Sequence, residues 1–141
     1  MSLKGDLYTY LINVAGVSAL VEDRVYPSFV GSMAAALPYA CYDISSTQAE
    51  QHLAGVQDLA QASVAIQCWA VDAPGSDALA LQVRLALDGY RGTMGTTDVR
   101  RIFYDSETDS IAVPDDGGSL PTYLRTISFR IWHRVAELTP N

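Results

Sequence analysis

The residues whose types and spacing best suggest chemistry are the carboxylates of 105-DSETD-109. Asp105, Glu107 and Asp109 alternate, and Asp115 and Asp116 follow a few residues later. Alternate side chains of an extended chain share a face. Three carboxylates on one side offer the hard oxygen ligands that Mg²⁺ or Ca²⁺ takes. The run lacks the glycine at position six and the glutamate at position twelve of an EF-hand loop. A solvated acidic loop explains the same residues, because clustered like charges are stable in water. The two histidines, His52 and His133, lie in a polar stretch and at the end of an apolar run, and no G-x-S-x-G nucleophile setting stands beside them. A Ser-His-Asp site assembles in space rather than in sequence, and nothing here marks one. Gly117-Gly118 is followed by no G-K-[ST], so it is no phosphate loop. Cys41 and Cys68 sit inside apolar runs without a C-x-x-C or a metal-ligand spacing. They read as reduced, buried thiols. The expectation is no enzyme, no cofactor and no metal.

The elements that would position these residues follow from periodicity. Leu3, Leu7, Leu11 and Val14, widened by Tyr8 and Ile12, predict an amphipathic helix over 3–14 that ends at Gly16. A helical turn at 17–21 and a short extended piece ending at Tyr26-Pro27 follow. Residues 37–46 read as a strand, 47–60 as a polar loop or hairpin tip, and 61–71 as a strong strand. Pro74 to Asp77 form a turn with N-cap candidates. A helix over about 77–88 carries the stripe Leu79, Val83, Leu87 and Tyr90, closed by Gly89 and Gly92. Residues 99–105 read as a strand, 106–121 as a long acidic connection, and 122–134 as the last strand. The predicted fold class is α+β, a mostly antiparallel sheet of four to five strands with two or three helices packed on one face.

The last strand, 123-YLRTISFRIWHR-134, sorts cleanly. Tyr123, Arg125, Ile127, Phe129, Ile131 and His133 share one face; Arg130 and Trp132 lie on the other. The strand at 61–71 repeats this, with Gln67 and Trp69 opposite Ile66 and Cys68. Helices covering the aliphatic face would leave both tryptophans on the open one. Two indoles bury roughly 300–500 Å² together, comparable with the largest apolar patch of a typical monomer. Gln67, Trp69, Arg130 and Trp132 are therefore candidate interface residues. Two other readings stand beside this one. The indoles pack under the 106–121 connection of the same chain, or a bulge reverses the register of one strand.

Composition narrows the class. The chain has 141 residues, read as one domain over 1–141, with 49% hydrophobic and 18% charged residues, as in an ordinary globular protein. A net charge of −7 favours solubility and opposes a grip on duplex phosphates. The opening MSLKGDLYTYLINVAG lacks a secretion signal's basic start and unbroken apolar stretch. No run approaches the roughly eighteen apolar residues of a membrane span, so no membrane partner is expected.

Several segments, taken in order, resemble the tail-completion (tail-terminator, head–tail joining) proteins of long-tailed bacteriophages and prophages. They are Leu7-Tyr8 with Leu11, Gly16 to Val21, Asp23 to Pro27, Leu37-Pro38-Tyr39 with Tyr42, Val64 to Ala70, Val83 to Tyr90 with Gly92, and Ser128 to His133. The resemblance implies a small α+β virion protein that forms a ring, typically a hexamer, at the head-proximal end of the tail tube. Such a ring stops tube polymerisation and joins the tail to the head connector or neck protein. DNA passes through it without specific binding, and assembly takes place in the bacterial host cytoplasm. The family brings no catalytic residues and no cofactor. On this reading some of Asp105, Glu107, Asp109, Asp115 and Asp116 line the channel or its mouth. The alternatives are a related neck or tail-tube protein, a monomeric module binding a peptide or small ligand on its Trp69/Trp132 face, or a metal-dependent enzyme using the acidic run.

Overall fold

The computed structural model of the chain describes residues 3–27, 37–52, 55–112 and 122–134; at 45–52, 55–59, 112 and 134 it describes the backbone alone. The elements run α1 (Leu3–Ile12), α2 (Ala15–Val21), β1 (Val25–Tyr26), β2 (Tyr39–His52), β3 (Gly55–Ala70), α3 (Ala73–Leu87), β4 (Gly92–Met94), β5 (Thr97–Ala112) and β6 (Thr122–Arg134). They build one sheet of six strands in the order β1-β2-β3-β6-β5-β4. Every pairing is antiparallel except β1 with β2, which is parallel. The sheet is therefore mixed and larger than the four to five antiparallel strands expected. The two additions to the clear strands are edge pieces of two and three residues, too short for alternation to register.

The predicted loops are shorter than expected because the long strands continue through polar sequence. β2 and β3 pair from Tyr39↔Trp69 out to His52↔Gly55, so most of 47–60 is a two-stranded ribbon rather than a loop. β5 runs on to Ala112, paired with β6 as far as Ala112↔Thr122. The first part of the expected 106–121 connection is therefore strand. Serines, threonines and acids belong on the exposed side of a sheet edge, and there they mimic loop composition.

The helices differ at their ends. α1 stops at Ile12, and Gly16 lies in the first turn of α2 instead of closing α1. A Cβ on Gly16 would approach Gln82 Oε1 of α3 to 2.1 Å, so the missing side chain lets α2 close on α3. α3 starts four residues before the expected 77. Asp72 caps it by accepting a hydrogen bond from Gly75 N at 2.7 Å, with Pro74 in the first turn. Gly89, at φ +81, ends it as predicted.

All three helices pack on one face. Leu7, Leu11, Val17, Val21, Leu79, Val83 and Leu87 bury against Val64, Ile66, Ile102, Ile127, Phe129 and Ile131 of the long strands. The Tyr42 hydroxyl donates to the Lys4 carbonyl, tying α1 to β2. Asp6, 1% exposed, fastens α1 to the β4–β5 turn. Its Oδ2 accepts from Thr96 N at 3.2 Å, Thr96 Oγ1 at 3.0 Å and Thr97 Oγ1 at 2.5 Å.

Candidate functional site

Strand register settles which side chains share the uncovered face. Trp69 pairs with Tyr39 and Leu124, and Gln67 with Cys41 and Thr126. Farther along, Arg130 pairs with Ser63 and Phe103, and Trp132 with Gln61 and Arg101. These residues alternate with Ile66, Cys68, Ile127, Phe129 and Ile131, which are buried under the helices. Both tryptophans thus lie on the face opposite the described helices, as the alternation predicts, and the β3–β6 ladder runs from Leu59 to Ala70 without a register shift that would reverse it.

Their cover differs, and this corrects the expectation that both rings are bare. Trp69 is 6% exposed. It stacks on Tyr39, centroids 5.9 Å apart and planes 14° apart, and Tyr26 meets Tyr39 edge-on at 5.7 Å. Leu37, Cys41 and Leu124 complete this second small core. Gln67 Oε1 is its polar hinge, accepting from Trp69 Nε1 at 3.1 Å and from Cys41 Sγ at 3.4 Å. Burial, reinforced by Cys41 and Tyr26, pushes the Tyr39 phenol up to about 12. The cover comes from β1 and the start of β2, where three aromatic rings within one chain replace water.

Trp132 is half-buried and Arg130 exposed. Trp132 lies opposite Gln61, eight residues before Trp69 on β3, which is about 26 Å along a strand. The four interface candidates therefore form two places rather than one. At the Trp132 end they are joined by Arg101 and Phe103. Phe103 is 41% exposed, and the Arg101 guanidinium carbon lies 5.6 Å from its ring centroid. Sequence reasoning missed both. A bulge between Val99 and Arg101 sets their phase, and only the pairing with β6 shows that they flank Arg130 and Trp132.

The acidic run is also divided. A register shift between Tyr104 and Ser106 leaves Asp105 unpaired in the ladder, so it does not continue the row of Glu107 and Asp109. Those two lie on the helix side, opposite Ile127 and Arg125. Arg125 holds Asp109 through Nε to Oδ1 at 2.6 Å and Nη2 to Oδ2 at 2.9 Å. It also meets Glu107 at 2.9 Å and Asp77 of α3 at 3.5 Å. Arg84 of α3 sits 3.6 Å from Glu107 and 3.8 Å over the Tyr104 ring. The Arg125 guanidinium keeps the Asp109 carboxyl below its ordinary range. Glu107 and Asp109 therefore tie α3 to the sheet through Arg84 and Arg125. Asp115 and Asp116 lie outside the described residues. Among the described residues no three His, Cys, Asp or Glu side chains are grouped to hold a metal ion, and no helix is long and apolar enough to cross a membrane. Both cysteines are buried thiols outside any disulfide, Cys41 on the open face and Cys68 under the helices.

The fold is similar to that of a chain in the solved structure described as the virion of a native gene transfer agent particle. The TM-score is 0.69 at 17% identity, covering 94% of this chain and 95% of that one. No curated protein matches by sequence. The family model for tail completion protein gp17 matches residues 5–134, from α1 to the last residue of β6 and across both ends of the open face. The chain belongs to the tail completion protein gp17 family.

Proposed function

We propose that this protein is a structural part of a phage or phage-like virion, acting as a hexameric ring on the head-proximal end of the tail tube. There it stops tube growth and receives the head connector or neck protein. The observation that carries the reading is the family match over residues 5–134. The likeness of fold to a chain of a gene transfer agent virion over nearly its whole length supports it.

The molecule suits such a role. Among the described residues Glu107 and Asp109 are in ion pairs and both thiols are buried. The open face keeps an arginine–aromatic surface at Arg130 and Trp132, the composition that interface cores favour. A net charge of −7 lets DNA pass without the counterion release that drives sticking. Assembly in the bacterial host cytoplasm follows from this role.

The test mixes purified protein with the tail-tube protein of the same particle. The expected result is tubes of arrested length whose one end carries a six-fold ring in negative-stain images. Tubes that keep growing, with the protein free in solution, would remove the proposal.

A further inference from the structure

Two surfaces at opposite ends of β5 and β6 complement each other, and one chain cannot bring them together. The first is the patch around Phe103 on the open face. The ring is 41% exposed and stands between Arg101 and its ladder partner Arg130. Among the described residues neither arginine is in an ion pair. An exposed ring between two such guanidiniums is the kind of anchor that interfaces bury.

The second surface is a cavity of about 450 Å³ beside the start of α3, lined chiefly by Ala73, Asp77, Asp109, Ile111, Tyr123 and Leu124. Ile111 is 57% exposed, so an apolar wall stands open to water. Acid outweighs base around it. Three carboxylates (Asp77, Glu107, Asp109) face two guanidiniums (Arg84, Arg125), leaving one net negative charge. The cavity lies in the size range of pockets that admit small ring-bearing groups.

We infer that Phe103 of one copy enters this cavity on the next copy, with Arg101 and Arg130 facing the carboxylates of Asp77 and Asp109. The inference rests on the ring reading above and supplies its contact surfaces. Phe103 and Ile111 are eight residues apart on β5, about 26 Å, so a chain cannot satisfy its own patch. Contact between two different surfaces repeats from copy to copy and closes as a ring when the rotation allows. A second copy is the occupant because it fills both surfaces at once. A nucleic acid strand would engage the arginines and leave the acid-edged cavity empty.

The experiment uses two single variants of the full chain, Phe103→Glu and Ile111→Arg. Each replaces an exposed side chain with one of opposite charge to its neighbours, so each should unfold at the native temperature. In sedimentation each is expected to run as a single chain under conditions where the native protein forms a ring. An equimolar mixture should regain the association that neither variant shows alone, since one pair of surfaces is intact and the other sets the introduced carboxylate against the introduced guanidinium. Arg130→Glu repeats the test on the first patch if Phe103→Glu does not fold. Rings persisting in either variant, or a mixture that stays as single chains, would overturn the contact. Native rings with unaffected variants would sink this contact alone. A native protein that remains single even with tail-tube ends present would sink the ring reading itself.

Discussion

Arg125 of β6 and Asp109 of β5 form a bidentate pair across neighbouring strands, at 2.6 and 2.9 Å. They are direct ladder partners, so the sheet presents the two groups to each other before any side chain moves. The same guanidinium reaches Glu107 and Asp77, making Arg125 the knot between α3, β5 and β6.

That knot predicts acid sensitivity. The Asp109 carboxyl is lowered by its hydrogen bonds to Arg125. Its folded value lies below the unfolded value of about 3.9. Its stabilising contribution is therefore present above that unfolded value and is lost as pH falls through the folded one. An NMR titration should find Asp109 below the ordinary carboxylate range in the native protein and shifted upward in Arg125→Gln. An unchanged titration in the variant would show that the pair does not set it.

The buried Asp6 makes the β4–β5 turn depend on α1. Asp6→Ala would leave an amide and two hydroxyls of Thr96 and Thr97 without their acceptor, costing about 1–3 kcal/mol in urea unfolding. Gly95→Ala should destabilise the same corner by a different route. Its φ is +61, and a Cβ there would come within 2.3 Å of Asp6 Oδ1. Native stability in both variants would refute this account.

The tryptophans should separate in mutants. Trp69→Ala empties the small core against Tyr39 and is expected to cost about 3–5 kcal/mol. Trp132→Ala should cost less stability and impair assembly more, because that ring is half-buried in the lone chain. Calorimetry of the single chain, paired with sizing of the assembled form, checks both. Equal thermal losses would place the two rings in equivalent surroundings.

The thiols report on opening. Cys41 and Cys68 are fully buried, and burial pushes the Cys68 thiol well above its usual value. Neither should react with a thiol reagent at pH 8 until denaturant unfolds the chain. Rapid labelling of native protein would reveal an opening of the sheet that the packed core does not suggest.

Periodicity made the long elements and their faces legible. The alternation in 61–71 and 122–134 placed both tryptophans opposite the helices because β geometry turns alternate residues to opposite sides whatever surrounds them. Leu79, Val83 and Leu87 marked the buried stripe of α3 for the same local reason. The order of motifs was enough to indicate the family. Strand ends were not legible, since Ser, Thr and Asp suit an exposed strand edge as well as a loop.

What the sequence determined by itself was therefore the class of fold, the inward face of each long element and the family. The tertiary structure decided which exposed-looking residues were truly exposed. Tyr39 stacks on Trp69 only because β2 pairs with β3, Tyr26 reaches Tyr39 only because β1 pairs with β2, and Glu107 and Asp109 become ion-pair partners only because β5 lies beside Arg125. Burial and charge pairing are properties of neighbours brought together from distant parts of the chain, and local sequence carries no record of that distance.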